Sequence, residues 1–162
     1  MAIIPRRIYA ICEEQLRARL GLVLAAQERL ELARARAYAV HAAAPDSGGS
    51  HGSGQGDALE RKAIGVTEAE DELREALKWD DVFHRLDRAY PRSTREGTVA
   101  AYLYGWATGE PVPQERVCQL MHRSRQSVRQ VRDTYVAYCA LLAAEAGLLN
   151  INDQEDARDG DL

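Results

Sequence analysis

The spacing of apolar residues along the chain follows the helical period almost throughout. Between Ile8 and Ala44 there is no proline, and Gly21 is the single glycine. Apolar side chains recur at Ile8, Ile11, Leu16, Leu20, Val23, Leu24, Leu30, Ala33, Ala37 and Val40, the signature of one face of a helix. This predicts a long first helix over roughly 8–44. The heptad step Leu16, Val23, Leu30, Ala37 suggests a coiled-coil seam, but its second row holds Leu20, Gln27 and Arg34. With one apolar residue in that row, an antiparallel hairpin is expected rather than a parallel zipper.

The pattern stops at 45–57, where Pro, Gly, Ser, Asp and His alternate with no apolar side chain, predicting a flexible loop. It resumes at Leu59, Val66, Leu73, Leu77, Phe83 and Leu86, with Asp57 as the expected N-cap and Gly65 as a weak point. Pro91 should end this helix near Tyr90, because the residue before a proline is pushed out of the helical region. Ser93-Thr-Arg-Glu96 has the form of a capping box for a further helix through Val99, Tyr102, Leu103 and Trp106, with Gly109 as its stop.

Composition agrees with a helical reading. Hydrophobic residues make up 46% of the 162, yet aromatics only 6%, and Ala, Leu, Arg and Glu favour helix over strand. The expected class is therefore all-α, with a helical hairpin over 1–90, a second domain over 91–149 and an acidic disordered tail over 150–162. The net charge is −4, but the tail holds five acids and one arginine, so the other 149 residues balance to zero. A globally basic nucleic-acid binder is excluded, and any DNA contact must use a local basic face.

Cys12, Cys118 and Cys139 are widely separated and odd in number, which fits neither a disulfide framework nor a metal motif. They are read as reduced thiols, and the absence of a leader or a long apolar run gives a cytoplasmic location as the expectation. Asp80 and His84 form the one i,i+4 pair able to share a metal, and two ligands do not make a site. No nucleophile motif is recognisable either, so neither an enzyme nor a cofactor is expected. Trp79 and Trp106 are assigned to the core. Tyr102, Tyr104, Tyr135 and Tyr138 fit a helical core better than a stacking surface.

The specific signal lies in Gln114 to Asp133. Pro113 suits a helix start, Val117, Leu120 and Met121 give a short helix an inward face, and His122-Arg123 is the turn. Ser124 is the expected N-cap of a second helix with Val128 and Val131 inward. Apolar residues at 117, 121, 128 and 131 have the spacing with which a helix-turn-helix packs its two helices. His122 occupies the usual turn-glycine position and must either accept a left-handed backbone or make a different turn. Outward remain Arg125, Gln126, Arg129, Gln130 and Arg132, the residue types that pair with guanine and adenine edges. Arg116 and Arg123 add to a local surplus of positive charge for phosphates. The candidate DNA-binding set is thus Arg116, Arg123, Ser124, Arg125, Gln126, Arg129, Gln130 and Arg132. The stripe Val128, Val131, Tyr135, Tyr138, Leu142 runs on toward Gly147, the expected C-cap, either as core or as a surface pairing two copies.

A long first helix, a GGSxGSGxGD loop, a second helix, a Tyr-Leu-Tyr-Gly segment and a helix-turn-helix opened by serine resembles phage late-gene transcriptional regulators of the ArpU/RinA type. Tyr102 and Gly105 fit that family's Tyr-x-x-Gly, and Ser124 and Val128 its Ser-x-x-x-Val. Glu115-Arg-Val-Cys118 stands where the family has a tryptophan-containing run. The resemblance implies a sigma-region-4-like helix-turn-helix and sequence-specific binding of double-stranded DNA upstream of phage genes, in a bacterial cytoplasm. It leaves RNA polymerase as a possible partner and a homo-oligomer as a possible state. Two alternatives are a small terminase-like packaging subunit and a helical protein-interaction module that never touches DNA.

Overall fold

A computed structural model describes residues 4–43 and 54–152, with side chains for 4–39 and 56–152. Six helices account for its regular structure: α1 (Arg6–Ala18), α2 (Leu22–Ala43), α3 (Gly54–Ala89), α4 (Arg95–Leu103), α5 (Gln114–Leu120) and α6 (Arg125–Glu145). Among the described residues there is no strand, so the chain is all-α, as composition and periodicity predict.

The chain divides into two compact units, one of residues 1–20 with 78–162 and one of residues 21–77. This grouping differs from the expected boundary at residue 90. The reason lies in α1, which buries Ile8, Cys12 and Leu16 on one stripe and packs against α6, over 100 residues away in sequence. Local periodicity shows that such a stripe exists but not what covers it.

The first unit is built around α6. Val128, Val131, Tyr135, Val136, Cys139, Ala140, Leu142 and Ala143 are all buried, and α1, α4 and α5 pack on them. The last turns of α3 add Trp79, Val82, Phe83 and Leu86, at the i, i+3, i+4, i+7 steps that put four side chains on one face. Tyr135 meets Tyr90 at 5.8 Å and Trp106 at 6.2 Å between ring centroids, and Tyr138 meets Tyr90 edge-on at 5.5 Å. Both tryptophans are buried as expected. The stripe considered as a pairing surface between copies is therefore core within one chain, with Val128, Val131, Tyr135 and Leu142 sealed from solvent.

The expected single helix over 8–44 is two, interrupted at 19–21. Two side-chain contacts account for the break. The Leu16 carbonyl at the end of α1 accepts the Trp106 indole N–H at 2.9 Å. Arg19 is drawn inward, bonded to Asp87 through both carboxylate oxygens and stacked over Trp106 and Phe83 at 4.7 and 5.4 Å. Burial disfavours the charged guanidinium, but Asp87 more than offsets it and raises the Arg19 pKa.

Other boundaries shift by a few residues. Residues 45–53 of the expected loop lie outside the described residues, and α3 has already begun at Gly54, so Asp57 sits in its first turn rather than capping it. A carboxylate there still faces the unpaired amides of the helix start. Pro91 ends α3 at Ala89, as anticipated. Thr94, not Ser93, caps α4, its Oγ1 accepting the Gly97 N–H at 3.2 Å and donating to the Pro91 carbonyl at 2.6 Å. Gly97 is required because a Cβ there would stand 2.2 Å from the Pro91 carbonyl oxygen. Gly105, at φ +83, ends α4 before Trp106 is reached, so Gly109 is not the stop.

Gly147 closes α6 as predicted. At φ +73 it lets Leu148 N–H reach the Ala143 carbonyl and Gly147 N–H the Ala144 carbonyl, a Schellman closure. Of the acidic tail, residues 153–162 lie outside the described residues.

The second unit is an antiparallel pairing of α2 with the first part of α3. Arg29 pairs with Glu72 at 3.1 Å and Arg34 with Glu70 at 3.3 Å, so positions rise on one helix as they fall on the other. The buried residues along this pairing are three alanines and one leucine: Ala26 and Leu30 from α2, Ala69 and Ala76 from α3. Leu24, Leu32, Tyr38, Leu59, Ile64 and Leu77 are exposed.

Candidate nucleic-acid interface

The segment from Pro113 to Asp133 is set by its own sequence. Pro113, with ψ 142, stands just before α5, where a missing N–H costs nothing. After seven residues Met121 ends the helix, and His122 turns the chain at φ +50. Arg123 N–H reaches the Cys118 carbonyl at 3.0 Å and His122 N–H the Gln119 carbonyl at 3.3 Å, the closure usually made with glycine. A side chain held in the left-handed region costs on the order of 1 kcal/mol. Ser124 then adopts an extended conformation and its Oγ accepts the Ser127 N–H at 3.1 Å, capping α6 as predicted.

The inward residues converge as their spacing requires. Val117, Cys118, Val128 and Val131 are buried together with Val99 of α4, and Met121, Tyr102, Leu103 and Val112 pack against them. Leu120 is the exception, 42% exposed instead of inward. One turn of helix separates it from Val117 by nearly a full rotation, but the short α5 has only one covered side, which Val117, Cys118 and Met121 fill.

The outward residues fall into three groups. Arg123, Ser124, Gln126 and Gln130 are exposed, and the side chains of Arg123, Gln126 and Gln130 have no partner among the described residues. Arg116, Arg125 and Arg129 are exposed and loosely paired, with Gln119 at 3.0 Å, Glu115 at 2.9 Å and Asp133 at 3.8 Å. Pairs this exposed contribute little and give way readily to a competing anion.

Arg132 differs, and its assignment to base reading is corrected. It is half-buried, donating to Tyr9 Oη at 2.9 Å, to Glu13 at 3.0 Å and to Gln114 Oε1 at 3.3 Å, and lying over the Tyr9 ring. Burial works against its charge, but Tyr9 and Glu13 together raise its pKa. Tyr9 in turn donates to Asp133 at 2.8 Å and Tyr104 to Glu13 at 3.1 Å. Burial, reinforced by these carboxylates, pushes both phenols above their ordinary pKa. A side chain committed to four groups cannot turn to a base edge without breaking the seam between α1 and α6.

Arg125, Gln126, Arg129 and Arg132 line a groove of about 980 Å³ whose opposite wall is α1, with Arg6, Tyr9, Ala10 and Glu13. Arg116, Arg123 and Gln130 lie outside it. The contribution of α1 was not found from sequence, since Arg6 and Arg132 are 126 residues apart. The only local hint is that Tyr9 and Glu13 share a helix edge beside the buried Ile8–Cys12–Leu16 stripe.

Asp80 and His84 do meet, at 3.4 Å on an exposed face. Among the described residues no three His, Cys, Asp or Glu side chains group as metal ligands. The three cysteines are free and buried. No described helix is long and apolar enough to cross a membrane. No known protein family, curated protein or solved structure matches this chain.

Proposed function

We propose that the chain is a sequence-specific DNA-binding transcriptional regulator of the phage late-gene kind, acting as a helix-turn-helix protein with α6 in the major groove. The observation that carries this reading is the start of α6. Its inward residues pack on α4 and α5, while Arg125, Gln126, Arg129 and Gln130 stand in solvent within a turn and a half. Arginine and glutamine are the side chains that make two hydrogen bonds to guanine and to adenine in that groove. The local surplus of arginine supplies phosphate attraction that the whole chain, at −4, lacks.

The test is fluorescence anisotropy against random duplex DNA, with sequencing of the retained fraction. Enrichment of a motif is the expected result. Arg129→Ala should then weaken the selected site by about 1–3 kcal/mol and relax its base preference, whereas Arg116→Ala should weaken all duplexes alike. Absence of duplex binding at about 50 mM salt would end this reading. A second reading, a protein-interaction module, draws on Leu24, Leu32, Tyr38 and Ile64, which leave large apolar side chains on the surface of the 21–77 unit.

A further inference from the structure

We infer that α1 belongs to the DNA interface, with Arg6 contacting the phosphodiester backbone of the strand that borders the groove read by α6. This rests on the DNA-binding reading above and adds to it a second element and a residue without motif. The groove gathers four guanidinium groups, those of Arg6, Arg125, Arg129 and Arg132, around two carboxylates, Glu13 and Asp133. Both carboxylates are already occupied. Glu13 holds Arg132 at 3.0 Å and accepts from Tyr104 at 3.1 Å, and Asp133 accepts from Tyr9 at 2.8 Å.

Asp133 also faces Arg129 at 3.8 Å and Arg125 meets Glu115 at 2.9 Å, so four guanidiniums against two carboxylates leave the groove lining with a surplus of two positive charges. Arg6 is exposed and makes no ion pair with a described residue, and the partners of Arg125 and Arg129 are exposed side chains. Like charges collected in one concavity repel unless an anion enters. The occupant that matches is an extended chain of phosphates, because the guanidiniums are distributed along two helices instead of converging on one point. The Tyr9, Glu13 and Arg132 hydrogen bonds fix α1 to α6, so Arg6 holds its place relative to the reading helix. In this arrangement Arg132 is a positioning residue.

The experiment uses the full chain and the duplex selected with the unaltered protein, titrated by anisotropy across a salt series. The variants are Arg6→Ala, Arg129→Ala and, as a control for net charge, Arg36→Ala in the other unit. Arg6→Ala should weaken selected and random duplexes equally, roughly fivefold near 0.1 M salt, and lower the slope of log affinity against log salt by about 0.9, the value of one phosphate contact. Arg36→Ala should change neither. If Arg129→Ala weakens the selected site while Arg6→Ala leaves affinity and slope unchanged, the role of α1 is refuted and the DNA reading stands. If no variant matters because duplex DNA does not bind, both fall. Arg6-dependent binding of polyglutamate without duplex binding would also overturn the inference, assigning the groove to an acidic protein segment.

Discussion

The two units are both helical, but they are held together by different means. The unit of residues 1–20 and 78–162 closes around aromatic and branched side chains, with Phe83, Tyr135, Val128 and Leu16 inaccessible to solvent. The 21–77 unit closes on alanines and Leu30, with exposed Arg–Glu pairs along its edge. Exposed pairs contribute about 0–1 kcal/mol each, while a buried large apolar side chain contributes about 1.5–3 kcal/mol. Stability therefore concentrates in the unit that carries the groove.

The largest test of this contrast is to hollow out each core. Phe83→Ala removes a ring that stacks on Trp79 at 6.0 Å and supports Arg19. It should cost about 3–5 kcal/mol, against about 2 kcal/mol for Leu30→Ala, in thermal melts followed by circular dichroism. Equal costs would mean that the thin packing between α2 and α3 is no weaker than the aromatic core.

Alkaline pH should separate the units next. Tyr104 and Tyr135 are almost wholly buried, and that burial raises the pKa of both above the value near 10 of an unfolded chain. A raised acid keeps its proton longer in the fold, so its contribution is complete below about pH 10 and is lost as pH rises beyond it. The loss should reach about 1.4 kcal/mol per pH unit for each tyrosine. The other unit holds only Tyr38, which is exposed. Denaturant melts from pH 9 to 11, read at tyrosine absorbance and by circular dichroism, should show the aromatic unit losing stability with pH while the 21–77 unit does not.

The smallest test uses glycine. Gly97→Ala would drive a methyl group against the Pro91 backbone, costing about 1–3 kcal/mol. Gly65→Ala, mid-helix with open space around it, should add about 0.5–1 kcal/mol. Opposite signs in the two melting temperatures would confirm that one unit is tightly fitted where the other has slack.

What the sequence revealed follows the same division between local and distant causes. Ser124, His122, Pro91 and Gly147 act within a few residues of themselves, and their roles as cap, turn, stop and closure were legible. Val117, Met121, Val128 and Val131 were legible because two adjacent helices bury one another. The break at 19–21 depends on Trp106 and Asp87, and the commitment of Arg132 depends on Tyr9 and Glu13. Each needs a partner more than 60 residues away that no local pattern indicates. Thr94 instead of Ser93 shows a finer limit: both are good caps, and it is Thr94 whose hydroxyl takes the Gly97 N–H while donating to the Pro91 carbonyl.

Under the proposed function, the commitment of Arg132 to the α1 seam also limits how much information α6 could read. Only residues 125–130 remain for base contacts, and six residues at 1.5 Å each span about 9 Å, or roughly three base pairs. A word that short recurs by chance about once in 64 positions, far too often against the ~10⁶ or more competing sites of a genome. Under the proposed function, one copy of this chain recognises a syllable. Its address would have to be spelled by adjacent copies or by a partner already seated beside it.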